Sequence, residues 1–178
     1  LPYLLPQITV ALAWKMMLSN NYGIVNQMLE AIGLHGHNWF MEVETAFAMI
    51  VVIDVWQNVP FVFLMLYATL QTVSGDQYEA ARIDGANSWQ LFWQITIPNI
   101  KGGIILCALL RTIDTFRLFD KVNVLTGGGP AGTTSSITQF LYNYGIKSMK
   151  FGLGSAGAII MAVIVLILSS AYIKRTIK

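Results

Sequence analysis

The sequence predicts an all-α integral membrane protein. Of its 178 residues 55% are hydrophobic and only 11% charged, whereas soluble domains carry about 25% charged residues. The mean hydropathy is +0.59. Residues 152–173 hold no charge and are rich in Ile, Val, Leu and Ala, enough for one crossing at about 20 apolar residues per span. A polar, helix-forming island at 74–98 interrupts the apolar segments. The net charge of +2 is too small for a nucleic-acid partner. Cys107 is the only cysteine, which excludes an internal disulfide and fits a small core hydrophobe.

Four spans and two interfacial helices are expected along the chain. The first span covers 1–18, with Pro2 and Pro6 near its start. Next, Ile24, Val25, Met28, Leu29 and Ile32 fall at helical spacing opposite Asn26, Gln27 and Glu30, with Gly33 as the stop. This helix is expected to lie at the membrane interface. The second span, 45–73, contains one charge, Asp54, and is interrupted by Pro60. Proline removes a backbone donor and is expected to kink or break the helix. Freed carbonyls survive at membrane depth only against protein or a water-lined cavity, so Asp54, Trp56, Gln57 and Asn58 are expected to face the interior.

The third span, 99–120, is the most polar: Arg111, Asp114, Arg117 and Asp120 recur every third residue. Neighbours at this spacing meet on a helix surface and can neutralise one another. Charges at membrane depth also default to a pathway, which makes Arg111 and Asp114 candidates for the path. Trp56 and Asn58 join them, because sugars favour aromatic stacking beside polar partners. A second interfacial stripe, Ile137, Phe140, Leu141 and Tyr144, ends at Gly145. The last span, 152–173, is followed by Lys174, Arg175 and Lys178, which places the C-terminus in the cytoplasm. Arg82 and Lys101 favour a cytoplasmic island, while Lys121, Lys147 and Lys150 fall outside, so the charge bias is modest.

The island reads as two short helices around a glycine turn. Ser74 and Gln77 have capping-box spacing, and Asp76 and Glu79 complement the helix dipole. Gly85 suits the left-handed position that ends a helix. Asn87 or Ser88 can cap a second helix through Trp89, Leu91, Phe92 and Ile95, and Pro98 marks the start of the next span. Ala80, Ala81 and Ala86 leave a small surface for close approach, and Trp89, Phe92 and Trp93 can anchor the pair on the membrane helices.

These residues carry a resemblance. Glu79-Ala80-Ala81-Arg82-Ile83-Asp84-Gly85, followed by Ile95-Thr96-Ile97-Pro98, resembles the EAA-x3-G-x9-I-x-L-P signature of permease subunits in binding-protein-dependent ABC importers, with Ile97 in place of Leu. Phe119-Asp120 through Leu125-Thr126 to Gly128-Gly129-Pro130 resembles the FD-x4-LT-x-GGP segment of carbohydrate-importer permeases of the maltose and glycerol-phosphate type. Tyr22-Gly23 with Asn26, and Asp54-x-Trp56 to Pro60, are similar to the same subfamily. The resemblance implies a MetI-like transmembrane fold in a bacterial or archaeal plasma membrane. It also implies a missing N-terminal portion with at least two spans. Glu79, Ala80, Ala81, Asp84, Gly85, Ile95 and Pro98 would form the cytoplasmic coupling element on which an ATPase subunit docks. The implied partners are two ATPase subunits, a second permease, an extracytoplasmic solute-binding protein and the bilayer. This chain would bind no cofactor, and the ATPase subunits would use the ATP.

Other signals fail. Gly127 to Gly132 satisfies G-x-G-x-x-G, and Val122 to Leu125 could pass for a preceding strand, but no Asp or Glu follows Asp120 to hold a ribose. Thr133 stands where a Walker A loop has Lys. His35 and His37 are the only histidines and lack further metal ligands nearby. No nucleophile has a base partner, so an enzyme is disfavoured. The expected cargo is a sugar, oligosaccharide or glycerol-phosphate compound. The alternatives are the same machine carrying an amino acid, peptide or anion, and a membrane scaffold without transport.

Overall fold

The structure, a computed structural model, describes residues 2–176 without the side chains of Arg175 and Thr176. Leu1 of the first expected span and Lys178 of the basic tail lie outside the described residues, as does the side chain of Arg175. Nine α-helices follow one another among the described residues, and no strand occurs there. They are α1 (Gln7–Met17), α2 (Ile24–Ala31), α3 (Val43–Leu70), α4 (Gly75–Ile83), α5 (Ser88–Leu91), α6 (Ile97–Phe116), α7 (Asp120–Leu125), α8 (Ile137–Leu141) and α9 (Phe151–Thr176). The Val122–Leu125 segment is thus helical rather than a strand.

Among the described residues, three helices are long and apolar enough to cross a membrane: α3, the continuous helix Ser88–Phe116 and the Phe151–Lys174 stretch of α9. The first expected span is different. Its helix has 11 residues, about 16 Å at 1.5 Å per residue, roughly half a hydrocarbon core. The apolar residues of α1 instead build a core: Val10, Ala11 and Leu18 pack with Ile50 and Ile53 of α3 and Val122 and Leu125 of α7. The outward faces are equally apolar. No residue of Phe151–Lys174 is buried, and Ile159, Leu166 and Ile167 are 60% or more exposed (65%, 68% and 62%). Surfaces of this kind require lipid or protein against them.

α3 is not broken at Pro60, the break being one of the two expected outcomes. Two residues before the proline, Asn58 donates to the Asp54 carbonyl oxygen at 2.8 Å; the carbonyl that Pro60 leaves without its i+4 donor is that of Trp56. The interior-facing residues are also fewer than expected: Gln57 is buried, while Trp56 is exposed and meets the Trp14 ring edge-on at 5.4 Å.

α2 ends at Gly33, whose φ of +83° is the left-handed stop expected from the sequence. Its buried residue is Asn26, expected on the polar face. The Asn26 amide accepts from the His37 backbone N–H at 3.2 Å and the Trp39 indole at 2.8 Å, and donates to the His37 carbonyl at 3.0 Å. A polar side chain here satisfies a loop that would otherwise bury unpaired backbone. Met28 and Ile32 stay exposed.

Gly145 does not stop the second stripe. The helix continues as a π-helical stretch, Tyr142–Lys147. Glycine is needed there for approach, because a Cβ on Gly145 would lie 2.8 Å from the Cα of Gly154 in α9. Gly145→Val therefore forces the two elements apart and is expected to cost about 1–3 kcal/mol, read as a lower Tm in detergent. Gly152→Ala is the control: its added Cβ meets nothing within 4 Å, and the Tm should hold or rise.

Candidate coupling elbow and charged path

α4 and α5 form the polar island. Ser74 caps α4 by accepting from the Asp76 N–H at 3.3 Å. The reciprocal half of the expected capping box is absent, because Gln77 turns away to accept from Asn99 at 2.9 Å. α4 closes through Gly85 at φ +85°, with Gly85 N–H on the Arg82 carbonyl (3.0 Å) and Ala86 N–H on the Ala81 carbonyl (2.9 Å). That pair of bonds is a Schellman closure, which needs the left-handed residue glycine supplies. Asn87 then starts α5 with a complete capping box: its side chain accepts from Gln90 N–H at 2.9 Å, and its own N–H reaches Gln90 at 2.8 Å.

α5 does not end before the span. A π-helical turn, Phe92–Thr96, joins it to α6, so residues 88–116 form one rod and Pro98 lies within it. Pro98 supplies no N–H to the rod, and it falls just after the π-helical turn, where the i→i−4 ladder is already interrupted. The expected pair of short helices is therefore one short helix and the base of a long one. Tyr78 bonds Thr96 at 2.9 Å, tying α4 to that base alongside the Gln77–Asn99 pair. Of the expected docking residues, Glu79, Ala80, Asp84, Gly85 and Pro98 are exposed, and Ala81 and Ile95 are half-buried. The elbow thus brings them to one structured protrusion, with Ile83 86% exposed on it. Trp89 stacks on Phe92 and Trp93 meets both edge-on, and all three remain exposed rather than anchoring the elbow to other spans.

The charged residues assemble differently from the expected ladder. α6 ends at Phe116, Arg117 terminates it, and Asp120 opens α7, so the row does not continue along one helix. Arg111 instead reaches across to α3, with Nη2 2.7 Å from Asp54 Oδ2 and Nη1 3.5 Å from Asp114 Oδ2. Lys121 of α7 binds the other oxygen, Asp54 Oδ1, at 2.5 Å. The Lys121 side chain is fully buried, although its sequence position read as an outer-loop charge. Burial pulls its ammonium below the ordinary lysine pKa, and the Asp54 carboxylate opposes that pull. A cavity of about 290 Å³ opens beside this cluster, lined by Asp54, Asn58, Val62, Phe63 and Arg111 among others.

Asn58, Arg111 and Asp114 therefore gather around Asp54, whereas Trp56 points to α1. Sequence reasoning missed Asp54 as the hub and Lys121 as its partner. The available signal was that Asp54 is the single charge of 45–73. The glycine segment forms no phosphate cradle: Thr126, Thr134 and Gly129 bond among themselves, and Gln139 reaches Asn123. His37 spends its backbone on Asn26 and sets its ring edge-on to Trp39. Cys107 is buried, as expected of a small core residue.

Membrane-length apolar helices, a capped polar elbow and a charge cluster joining α3, α6 and α7 define an integral membrane component. The model of the family described as binding-protein-dependent transport system inner membrane component matches residues 1–173, and the chain belongs to that family. It is 42% identical over 98% of its length to the trehalose/maltose transport system permease protein MalF of Thermococcus litoralis, covering 59% of that protein. It is 32% identical, over 98% of its length and 56% of the relative, to the sulfoquinovosyl glycerol transport system permease protein SmoG of Agrobacterium fabrum. Among solved structures it resembles a chain of a bacterial alginate ABC transporter in complex with alginate pentasaccharide-bound periplasmic protein. The TM-score there is 0.87 at 25% identity, covering 97% of this chain and 60% of that one. The chain thus spans about six-tenths of the length of such relatives.

The elbow's two turn residues are open to test by local stability. Gly85→Ala places a Cβ at positive φ and should cost about 1–2 kcal/mol without any clash, since nothing lies within 4 Å. Asn87→Ala should cost about 1 kcal/mol through the lost cap. Both should appear as faster amide hydrogen exchange confined to 75–96.

Proposed function

We propose that this chain forms part of the translocation pathway of an ABC importer for a carbohydrate, driven by ATP hydrolysis in a separate subunit. The observation that carries the reading is the elbow: a rigid, exposed element closed by Gly85 and hydrogen-bonded to the base of the 88–116 rod. A push delivered to α4 passes through Tyr78–Thr96 and Gln77–Asn99 into a transmembrane helix. That is the coupling a docked, bistable transporter requires. Glu79, Ala80, Ala81, Asp84, Gly85, Ile95 and Pro98 serve as the ATPase-docking residues. The ATPase subunits, a second permease and an extracytoplasmic solute-binding protein complete the machine in a bacterial or archaeal plasma membrane.

The carbohydrate assignment draws on the named cargo of the relatives: trehalose/maltose, sulfoquinovosyl glycerol, and the diacetylchitobiose of the uptake permease DasB of Streptomyces coelicolor, 29% identical to this chain. Asn58, Arg111 and Asp114 lie where a polyhydroxylated solute could exchange hydrogen bonds between α3 and α6. The charge at that point sums to zero over Asp54, Arg111, Asp114 and Lys121, which suits a neutral sugar better than a strong ion.

Cysteine at the exposed Ala80 position should crosslink to a co-purified ATPase subunit in the functional complex. Complete absence of the crosslink while uptake persists would refute docking at the elbow. Gly85→Trp, which has free space around it and projects from the docking surface, should leave ATP hydrolysis running while sugar uptake falls to background. Wild-type uptake by that variant contradicts the coupling role.

A further inference from the structure

Lys121, Asp54, Arg111 and Asp114 form a linear chain of alternating charge. Lys121 holds Asp54 Oδ1, Arg111 Nη2 holds Asp54 Oδ2, and Arg111 Nη1 holds Asp114. Asn58 adds a hydrogen bond of 3.1 Å to Asp54 Oδ1. Both inner members, Asp54 and Arg111, have a second ionic partner. Cutting the central link therefore leaves two neutral pairs, Lys121–Asp54 and Arg111–Asp114, and no isolated charge.

The cut falls between α3 and α6, helices that also pack on one another. α3 and α7 share one core with α1 through Ile50, Ile53, Val122 and Leu125, and Lys15 further ties α1 to the Val124 carbonyl. Arg111 and Asp114 both ride on α6. Midway along the rod, Gly103 lies directly against Thr69 of α3. Some 8 residues on, about 12 Å along the helix, Arg111 binds Asp54 of α3. The charged chain runs from a buried end to an exposed one. Side-chain exposure is 0% at Lys121, 19% at Asp54, 20% at Arg111 and 50% at Asp114. Desolvating an unpaired carboxylate is costly, so a helix that must part from Asp54 in every cycle needs a cation that stays behind.

We propose that Lys121 is a positioning residue of the transport cycle: it retains the Asp54 carboxylate while Arg111 releases Asp54 and keeps Asp114, which lets the outer part of α6 separate from α3. The proposal rests on the transport reading above.

The test uses the complete transporter, with the full-length permease, reconstituted in liposomes. Cys107 is replaced by Ser, and spin labels are placed at the exposed Phe47 of α3 and the exposed Thr115 of α6. The label distance is measured without nucleotide and with ATP plus vanadate. In the parent protein the two conditions are expected to give different distances. Lys121→Met should abolish the difference, because releasing Arg111 would then strand Asp54. Asp54→Asn combined with Lys121→Met should restore it, which a purely structural role for Lys121 does not predict. Asp114→Asn, at the exposed end and independent of core folding, should also lose the difference by stranding Arg111. A full parental shift in Lys121→Met or Asp114→Asn, or no restoration in the double variant, overturns the switch. A parent that shows no nucleotide-dependent shift overturns the transport reading as well.

Discussion

A carboxylate placed alone in a long apolar helix must find cations, and Asp54 is the single charge between residues 45 and 73. The fold answers with one cation from each of two other elements, Arg111 of α6 and Lys121 of α7. Truncating one partner of a desolvated pair costs about 3–5 kcal/mol, with the lower part of that range fitting partly exposed members such as Arg111. The lateral positions of α6 and α7 on α3 are set by that requirement. The neighbouring apolar contacts, Ile50 and Ile53 on Val122 and Leu125, then fill the space the ion pairs define. α7, a six-residue helix that is marginal without tertiary support, is held both by Lys121 on Asp54 and by Val122 and Leu125 in the core with α1.

Local chemistry was legible in the sequence and tertiary partnership was not. The Gly85 closure, the Asn87 cap, the stop at Gly33 and the apolar segments of three membrane-length helices all follow from residue types at fixed spacing. The end of the third span does not. Arg117-Leu118-Phe119 contains no helix breaker, and the turn is held by Ser136 and Thr138. Both donate hydroxyl hydrogen bonds of 2.7 Å to the Leu118 carbonyl from 18 and 20 residues downstream. An every-third-residue charge row therefore looked like one helical ladder although its last member opens a different helix. Lys121 failed in the same way: a lysine after a span reads as a surface charge unless the carboxylate opposite is known. Pro60 allows either a kink or a break by its residue type alone, and the structure excludes the break.

The same distinction separates the two functional regions. The elbow is built from bonds within about twenty residues, so its caps and glycine closure could be anticipated, whereas the Gln77–Asn99 pair, the π turn and the continuity with α6 could not. The charged path is built from residues 57 and 67 positions apart. Its candidates were consequently a mixture: Arg111, Asp114 and Asn58 converge, and Trp56 belongs to the contact with Trp14.

The π-helical turn at Phe92–Thr96 has a geometric effect beyond joining two helices. A π turn carries one more residue than an α turn. Each residue advances a helix by about 100°, so the extra one offsets the azimuth of everything beyond it by roughly that amount. The elbow and the face of α6 that carries Arg111 are thus phased like two cams on a single shaft. Thr96, whose hydroxyl bonds both Tyr78 and the Leu91 carbonyl, is the key that fixes their relative angle. Any relaxation of this turn to ordinary α geometry would convert an axial push at the elbow into rotation of the shaft about its own axis.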